Sequence, residues 1–583
     1  MNNNPCNFSD DFVNVSAYLQ YRAETNPYKL AIAYPESRDS MGRMSWTRLN
    51  NRQLNELSNR YANGLTKAGI KRGERTLLMV RPSLDFIALA FSLFKIGAIP
   101  VLIDPGMGLT RLLECVKTVS PQSMVAVPEA IALMKIVKKS FSSVKSVVTV
   151  GKPWFFKGED TRVFADTESP IFEIARTRPD EQAAILFTTG STGPAKGVVY
   201  EHSMFEAQVR QLIDHYKITE DEIEMPAFPL FALFSPALGI SCIIPEMDPT
   251  KPAEVDPAKI VEAIESFGVT NTFGSPSIWR KVSSYCISNK IKLPTLKRIL
   301  MAGAPAPLEV LGKFREILPN GETHTPYGAT ESLPSFDVTG TEILLPEHIK
   351  NNVEGGGTLV GKPLPGMEAR VIKIIDEPIK NYDESLELGN NEIGEILITG
   401  PVTTKEYFNR EKDTKKAKIK DGDRIWHRMG DVGYRDKNGY FWFCGRKTHR
   451  VETESGTMFT IKCEAIFNNH AKVFRSALVG IGEKGKKKPV IIIEPFKNNF
   501  PKTVAAKKEF IKELLEIARE NKNTDMITDI RFYETLPTDI RHNAKIFREK
   551  LAVWAETGKI DEDHNLKGSV KKFIFNAFKR GED

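Results

Sequence analysis

The chain has 583 residues, 41% of them hydrophobic, and its 81 Lys and Arg stand against 74 Asp and Glu for a formal net charge of +7. That length exceeds what one hydrophobic core supports, so two or more folding units are expected. The basic residues are dispersed rather than gathered in a block, so no nucleic-acid partner is expected, and a polyanionic substrate accounts for part of the positive balance.

In chain order, Met1-Asn2-Asn3-Asn4-Pro5 lacks the basic and apolar regions of a signal peptide, so a cytoplasmic protein is expected. Cys6, Cys115, Cys242, Cys286, Cys444 and Cys463 are widely spaced, with no Cys-x-x-Cys pair, which fits a reducing compartment and neither disulfides nor zinc. Phe86 to Ile103 approaches membrane length but contains Lys95, Gly97 and Pro100. It divides into a buried helix and a strand, and no transmembrane segment is expected. Strand-length apolar runs at Thr76–Val80, Val101–Ile103, Val147–Val150, Ile185–Phe187 and Ile299–Ala302 alternate with helical periods, the pattern of an α/β fold with parallel-rich sheets. A helix with a capping box at Ser203 and Glu206 is predicted beyond Tyr200, its apolar face Phe205, Val209, Leu212, Ile213 and Tyr216. After Gly355-Gly356-Gly357, short strands and Gly/Asn turns predict a β-rich subdomain over about 355–446. From Lys447 a small α+β unit is expected, with a strand at Val490–Glu494 and a helix at Val504–Ala518, joined at a hinge placed at Arg446 and Lys447. The predicted domains are therefore 1–446 and 447–583.

Thr188-Thr189-Gly190-Ser191-Thr192-Gly193-Pro194-Ala195-Lys196-Gly197 follows the apolar run Ala183–Phe187. Glycines let backbone N–H groups turn toward an anion, hydroxyls add donors, and Lys196 adds a mobile charge. It is not a Walker loop, because no Ser or Thr follows a Gly-Lys pair and Val198, Val199 and Tyr200 stand where a helix would begin. Alone, the segment reads equally as a Ser/Thr/Gly surface loop. Three other motifs stand with it: Tyr327-Gly328-Ala329-Thr330-Glu331, preceded by Met301-Ala302-Gly303-Ala304-Pro305; Tyr407 to Arg410 with Met429-Gly430-Asp431 and Gly445-Arg446; and Leu536 to Lys545 with Arg548 and Leu551.

These four motifs, in this order, resemble those of the adenylate-forming (ANL, AMP-binding) superfamily over nearly the whole chain. The resemblance implies a phosphate loop at Thr188, Thr189, Gly190, Ser191, Thr192, Gly193 and Lys196. It implies an adenine pocket walled by Gly303, Ala304 and Pro305, with Tyr327, Gly328 and Thr330 beside it. Asp431 would accept from both ribose hydroxyls, Arg446 would donate to the ribose or phosphate, Glu331 would hold Mg²⁺, and Lys545 would neutralise charge during attack on the α-phosphate, with Lys545, Glu331 and Lys196 the catalytic set. ATP and Mg²⁺ are the implied cofactors, and a small-molecule carboxylic acid the substrate.

Within the superfamily, Ala232 in Phe228-Pro229-Leu230-Phe231-Ala232-Leu233-Phe234 stands where a histidine is common, and Thr448 to Thr453 and Ile540 to Asn543 also depart from the usual pattern. These departures look most like the β-lactone synthetases of long-chain olefin biosynthesis. That subgroup implies adenylation of a 2-alkyl-3-hydroxy fatty acid followed by attack of its own hydroxyl on the acyl carbon. An acyl-CoA ligase and a protein that loads an acyl group onto a carrier are the alternatives. Phe228, Phe231, Ala232 and Phe234 are the expected pocket for the alkyl chain, joined by Phe273, and His202 and His449 are candidate bases. Lys567 to Arg580 has the pattern of a basic amphipathic helix, either packed on its own domain or docking a partner enzyme of the same pathway or a membrane surface.

Overall fold

The computed structural model describes residues 6, 8–9, 11–152, 158–188, 194–539 and 545–559. Thr189 to Gly193 of the phosphate loop, Ile540 to Ala544 and the amphipathic segment Lys567 to Arg580 lie outside the described residues.

Two seven-stranded sheets, covered by helices, form the body of a large N-terminal domain. The first runs in the spatial order Glu159–Asp160, Ser146–Thr149, Ser123–Ala126, Arg75–Met79, Ile99–Ile103, Gln182–Thr188, Lys196–Glu201, and every pair but the last is parallel. The second runs Glu322–His324, Arg298–Met301, Asn271–Gly274, Ile223–Pro226, Ser241–Ile243, Leu30–Arg38, Met44–Asn50, parallel except at its final pair. Both sheets feed one core, in which Ile32 of the second and Leu78, Val125 and Val148 of the first meet the helices Asn51–Lys67 and Leu84–Ile96.

Helix Leu84–Ile96 starts where Ser83 Oγ accepts the amide of Phe86 (3.2 Å) and stops at Gly97, whose φ of 75° only glycine adopts without strain. Apolar over most of its surface, it is buried, with Lys95 Nζ donating to Asn55 Oδ1, Ser58 Oγ and Asn59 Oδ1, and it leads directly into strand Ile99–Ile103. The membrane-length stretch is thus a core helix and strand. Among the described residues no helix is long and apolar enough to cross a membrane.

A third, eight-stranded sheet is antiparallel and holds Tyr327–Ala329 and Ser332–Asp337 as well as the strands from Thr358–Pro363 to Phe441–Arg446. A smaller C-terminal domain follows, in which Val473–Ile481, Lys488–Pro495 and Asp529–Phe532 form a three-stranded sheet. Helices Thr460–Asn468 and Val504–Arg519 cover it around a separate core of Phe467, Leu478, Ile491, Phe510 and Leu514.

One local expectation is corrected. The helix after the phosphate loop spans His202–Tyr216 with Glu201 as its N-cap, so Ser203 lies inside the first turn and its amide donates to Pro179 O (3.0 Å). Strand Lys196–Glu201 runs straight into the helix and leaves no linker in which Ser203 could cap. Glu206, the expected partner, is buried and pairs with Arg210 instead.

Candidate active site

The phosphate-loop segment joins two antiparallel strands whose closing pair is Thr188 and Lys196. Gly197 is required by packing, since a Cβ there would come within 2.6 Å of the Phe187 ring. Lys196 therefore leaves the hairpin on a fixed strand, and its Nζ lies 4.9 Å from the centre of the Tyr407 ring and 3.5 Å from Asp413.

Tyr407 links that lysine to Glu331. Its hydroxyl donates to Glu331 Oε1 at 2.6 Å, while the backbone carbonyl of Glu331 accepts from Thr404 N (2.9 Å) and Thr404 Oγ1 (3.0 Å). Behind Thr404 lies Lys418, buried, donating to the Thr404 carbonyl and, at 3.2 Å, to its hydroxyl. Burial lowers the Lys418 ammonium to about 7, opposed by the Glu331 carboxylate. His427, its cross-strand partner, is also buried, and burial holds it well below the ordinary histidine range.

Tyr327, Asp431 and Arg446 come together from three strands of the third sheet. Asp431 and Arg446 face each other across an antiparallel pair, and Arg446 Nη1 reaches Asp431 Oδ1 at 2.7 Å and Met429 O at 3.0 Å. Tyr327 Oη donates to the other carboxylate oxygen, Asp431 Oδ2, at 2.5 Å. Burial and the Asp431 charge together raise the Tyr327 phenol well above its usual range, so it stays a donor. Gly328 permits the tight pairing of Tyr327–Ala329 with the next strand, because a Cβ would meet Ser332 O at 2.7 Å. Thr330 O accepts from Tyr200 Oη at 2.5 Å, which ties this turn to the phosphate-loop strand. Gly303, Ala304 and Pro305 follow the C-terminal end of parallel strand Arg298–Met301, the end at which α/β sheets bind ligands, with Gly303 at φ 88°.

A cavity of about 600 Å³, including its open side, lies against this corner. Its wall is mainly apolar and includes Leu212, Phe231, Phe234, Phe273 and Leu300, and it reaches Pro326, Leu333 and Pro334 on either side of the Tyr327 to Glu331 motif. Pro229–Leu233 is a 3₁₀ turn, so residues three apart share a side. Phe231 and Phe234 line the cavity, while Leu230 and Leu233 pack on the core below. Phe228 and Ala232, expected in the pocket, are not in its wall. Phe228 backs Phe231 at 5.8 Å between ring centres, and Ala232 is 1% exposed within the core shared by the two sheets.

Lys545 is exposed in the C-terminal domain, next to Ile546, which pairs with Thr538, and shortly before helix Arg548–Thr557. Leu551 of that helix is buried, and Arg548 Nη2 reaches Glu464 Oε2 at 2.7 Å. The two candidate bases are occupied or enclosed. His202 is 0% exposed, its ring nitrogens have no hydrogen-bond partner, and burial lowers it to about 4, whereas His449 Nε2 lies 2.8 Å from Glu549 Oε1. The sequence by itself assigns no role to Tyr407, Thr404 or Lys418. Tyr407 sat within a quoted motif, but nothing in the spacing told which way its hydroxyl points.

A sequence profile of the AMP-binding enzyme family matches residues 19–408. The chain belongs to this family. Its relatives include the olefin beta-lactone synthetase of Xanthomonas campestris pv. campestris, 41% identical over 93% of this chain and 97% of the relative. The olefin beta-lactone synthetase of Stenotrophomonas maltophilia is 40% identical over 95% and 98%. Among solved structures, the anthranilate CoA ligase AuaEII in complex with anthranoyl-AMP has a TM-score of 0.73 at 18% identity, covering 93% of this chain and 97% of that one. ATP-bound MatB from Rhodopseudomonas palustris has a TM-score of 0.72 at 21% identity, covering 90% and 96%. These structural likenesses establish the fold, an α/β architecture with a large N-terminal and a smaller C-terminal domain.

Proposed function

We propose that the protein converts a 2-alkyl-3-hydroxy fatty acid to a β-lactone in two steps driven by ATP. In the first, a carboxylate oxygen attacks the α-phosphorus and pyrophosphate leaves. In the second, the substrate's own 3-hydroxyl oxygen attacks the acyl carbon, the bond to AMP breaks, AMP leaves as the anion and the hydroxyl proton is released. The observation that carries this reading is the 41% identity over 93% of the chain to a protein named olefin beta-lactone synthetase. An internal nucleophile has an advantage over a diffusing thiol, since effective molarities reach about 10⁵ to 10⁸ M.

The chain's own residues divide the work. Tyr327, Asp431 and Arg446 would bind the adenosine end, with Thr188 to Gly193 and Lys196 on the phosphates, and the cavity beyond Leu333 would hold an alkyl chain. Among the described residues no group of three or more His, Cys, Asp or Glu could hold a metal. Mg²⁺ suits such a site, because it keeps several waters and binds through one or two carboxylates plus substrate phosphates, and Glu331 is the carboxylate for it. When bound it would neutralise phosphate charge. Lys545 would reach the α-phosphate by rotation of residues 447–583 about Arg446 and Lys447.

The test is to supply purified protein with ATP, Mg²⁺ and a 2-alkyl-3-hydroxyalkanoate, with and without CoA. The expected products are AMP, pyrophosphate and β-lactone at a rate indifferent to CoA. An acyl-CoA formed at the rate of ATP consumption would overturn the reading.

A further inference from the structure

Gln208 sits on helix His202–Tyr216, is 3% exposed, and lines the cavity. Its Nε2 donates to Leu333 O at 2.7 Å. A carbonyl can only accept, so this contact fixes which end of the amide is nitrogen. The other end, Oε1, is buried without a hydrogen-bond partner. A buried acceptor left unmade is costly, and a mainly apolar wall is an expensive place to keep one.

Its position gives the orphan acceptor a use. Leu333 follows Glu331 closely, and Leu333 and Pro334 line the cavity on one side of that motif while Pro326 lines it on the other. Gln208 therefore belongs to the end of the cavity nearest the reacting groups. A second orphan acceptor in the wall, Asn271 Oδ1, belongs to the first residue of parallel strand Asn271–Gly274, remote from the carboxyl ends where Gly274 and Met301 pair. Glu224 lies beside Asn271 in register and already accepts from Ser235 Oγ at 2.7 Å.

We propose that Gln208 Oε1 accepts a hydrogen bond from the 3-hydroxyl of the acyl substrate and holds that oxygen toward the acyl carbon for ring closure. The inference rests on the 3-hydroxy acid reading above. An amide oxygen accepts a hydrogen bond without taking the proton, so Gln208 orients the nucleophile and is not its base. Any substituent that accepts but does not donate should fail to satisfy it.

The experiment measures pyrophosphate exchange and lactone formation with 3-hydroxy, 3-fluoro and 3-deoxy acids of one chain length, on wild type, Gln208→Met and Gln208→Glu. Wild type should favour the 3-hydroxy acid at least tenfold over both analogues in kcat/KM for exchange. Gln208→Met should bring that ratio near one and lower the lactone formed per AMP released. Gln208→Glu, assayed at a pH where its buried carboxyl is protonated, can still donate to Leu333 O and keeps an acceptor of the same reach, so it should retain the preference. Should Gln208→Met not fold, equal use of the hydroxy and fluoro acids by wild type overturns the inference by itself. A preference that persists in Gln208→Met, or is lost only in Asn271→Leu, also overturns it while leaving the lactone reading intact. A wild type that prefers the 3-hydroxy acid through Gln208 yet makes no lactone overturns both the lactone reading and the ring-closure role of Gln208, whereas lactone formed without that preference overturns this inference alone.

Discussion

Tyr407 Oη donates to Glu331 Oε1 at 2.6 Å, so the carboxylate proposed to meet Mg²⁺ is held by a phenol that belongs to a segment far along the chain. Tyr407 is 5% exposed, and burial with the Glu331 charge raises its phenol far above the usual range, which keeps it a donor at every working pH. Tyr407→Phe removes that donor while keeping the ring beneath Lys196. A hydrogen bond to a charged group is worth about 1.5 to 3 kcal/mol, so kcat/KM for pyrophosphate exchange should fall roughly ten- to a hundredfold. The Mg²⁺ concentration for half-maximal rate should rise with it. Exchange kinetics and a Mg²⁺ titration indistinguishable from wild type would remove Tyr407 from the site.

Asp431 accepts from both Tyr327 and Arg446, one on each carboxylate oxygen. Asp431→Ala deletes the acceptor that would meet the ribose hydroxyls and lets Arg446 relax. The KM for ATP should rise at least tenfold with a smaller change in kcat, read from exchange kinetics at saturating acid. A change confined to kcat would assign Asp431 to chemistry rather than binding.

Lys545→Ala should abolish pyrophosphate release and leave ATP affinity within a few-fold, since the lysine stands on the C-terminal domain, whereas Tyr327 and Asp431 belong to the eight-stranded sheet that precedes it. Equilibrium binding of ATP alongside a single-turnover adenylation assay separates the two effects. Undiminished adenylation would sink the assignment.

The α/β class was legible because strands such as Arg75–Met79 and Arg298–Met301 are buried almost throughout, so that they read as apolar runs, and the structure places each within a residue of the predicted Thr76–Val80 and Ile299–Ala302. The meeting of Tyr327, Asp431 and Arg446 was legible because these residues sit in short motifs, while the role proposed for them rests on the family resemblance. What escaped was direction. Ala232 and Phe231 are neighbours in sequence, and only the 3₁₀ turn decides that Phe231 faces the cavity and Ala232 the core. Gln208 and Lys418 escaped for a related reason, since a polar residue on a helix or strand reads as solvated until its burial is known.

Lys447 Nζ lies 3.0 Å from Glu395 Oε1 and 3.0 Å from Ile375 O, and Arg450 Nη2 reaches Asp376 at 2.9 Å, so the 3₁₀ turn Lys447–His449 is anchored on both sides. If residues 447–583 must turn about this point between the two steps, a stiffened turn slows the cycle. Thr448→Pro should lower kcat several-fold while the KM for ATP moves less, measured in steady-state pyrophosphate release. Wild-type turnover in that variant would take the turn out of the mechanism.

Glu224 makes the cavity wall sensitive to pH. It is 5% exposed on central strand Ile223–Pro226, with Cys242 and Asn271 beside it on the flanking strands and Ser235 Oγ on its Oε2. Burial raises its carboxyl from 4.5 to about 7, and the Ser235 hydrogen bond opposes this only in part. At pH below 4.5 the folded and unfolded chains both hold the proton. Between there and pH 7 the unfolded chain gives it up and the folded chain keeps it, so stability falls as pH rises, and above pH 7 the loss levels off. The full loss is on the order of 3 kcal/mol. Glu224→Gln cannot lose a proton. The stability difference between the variant and wild type should therefore grow in the variant's favour from pH 4.5 to 7, with other titrations cancelling in the difference. Chemical denaturation of the N-terminal domain across that window measures it, and a difference that stays flat from pH 5 to 7 would mean that Glu224 is ionised in the fold.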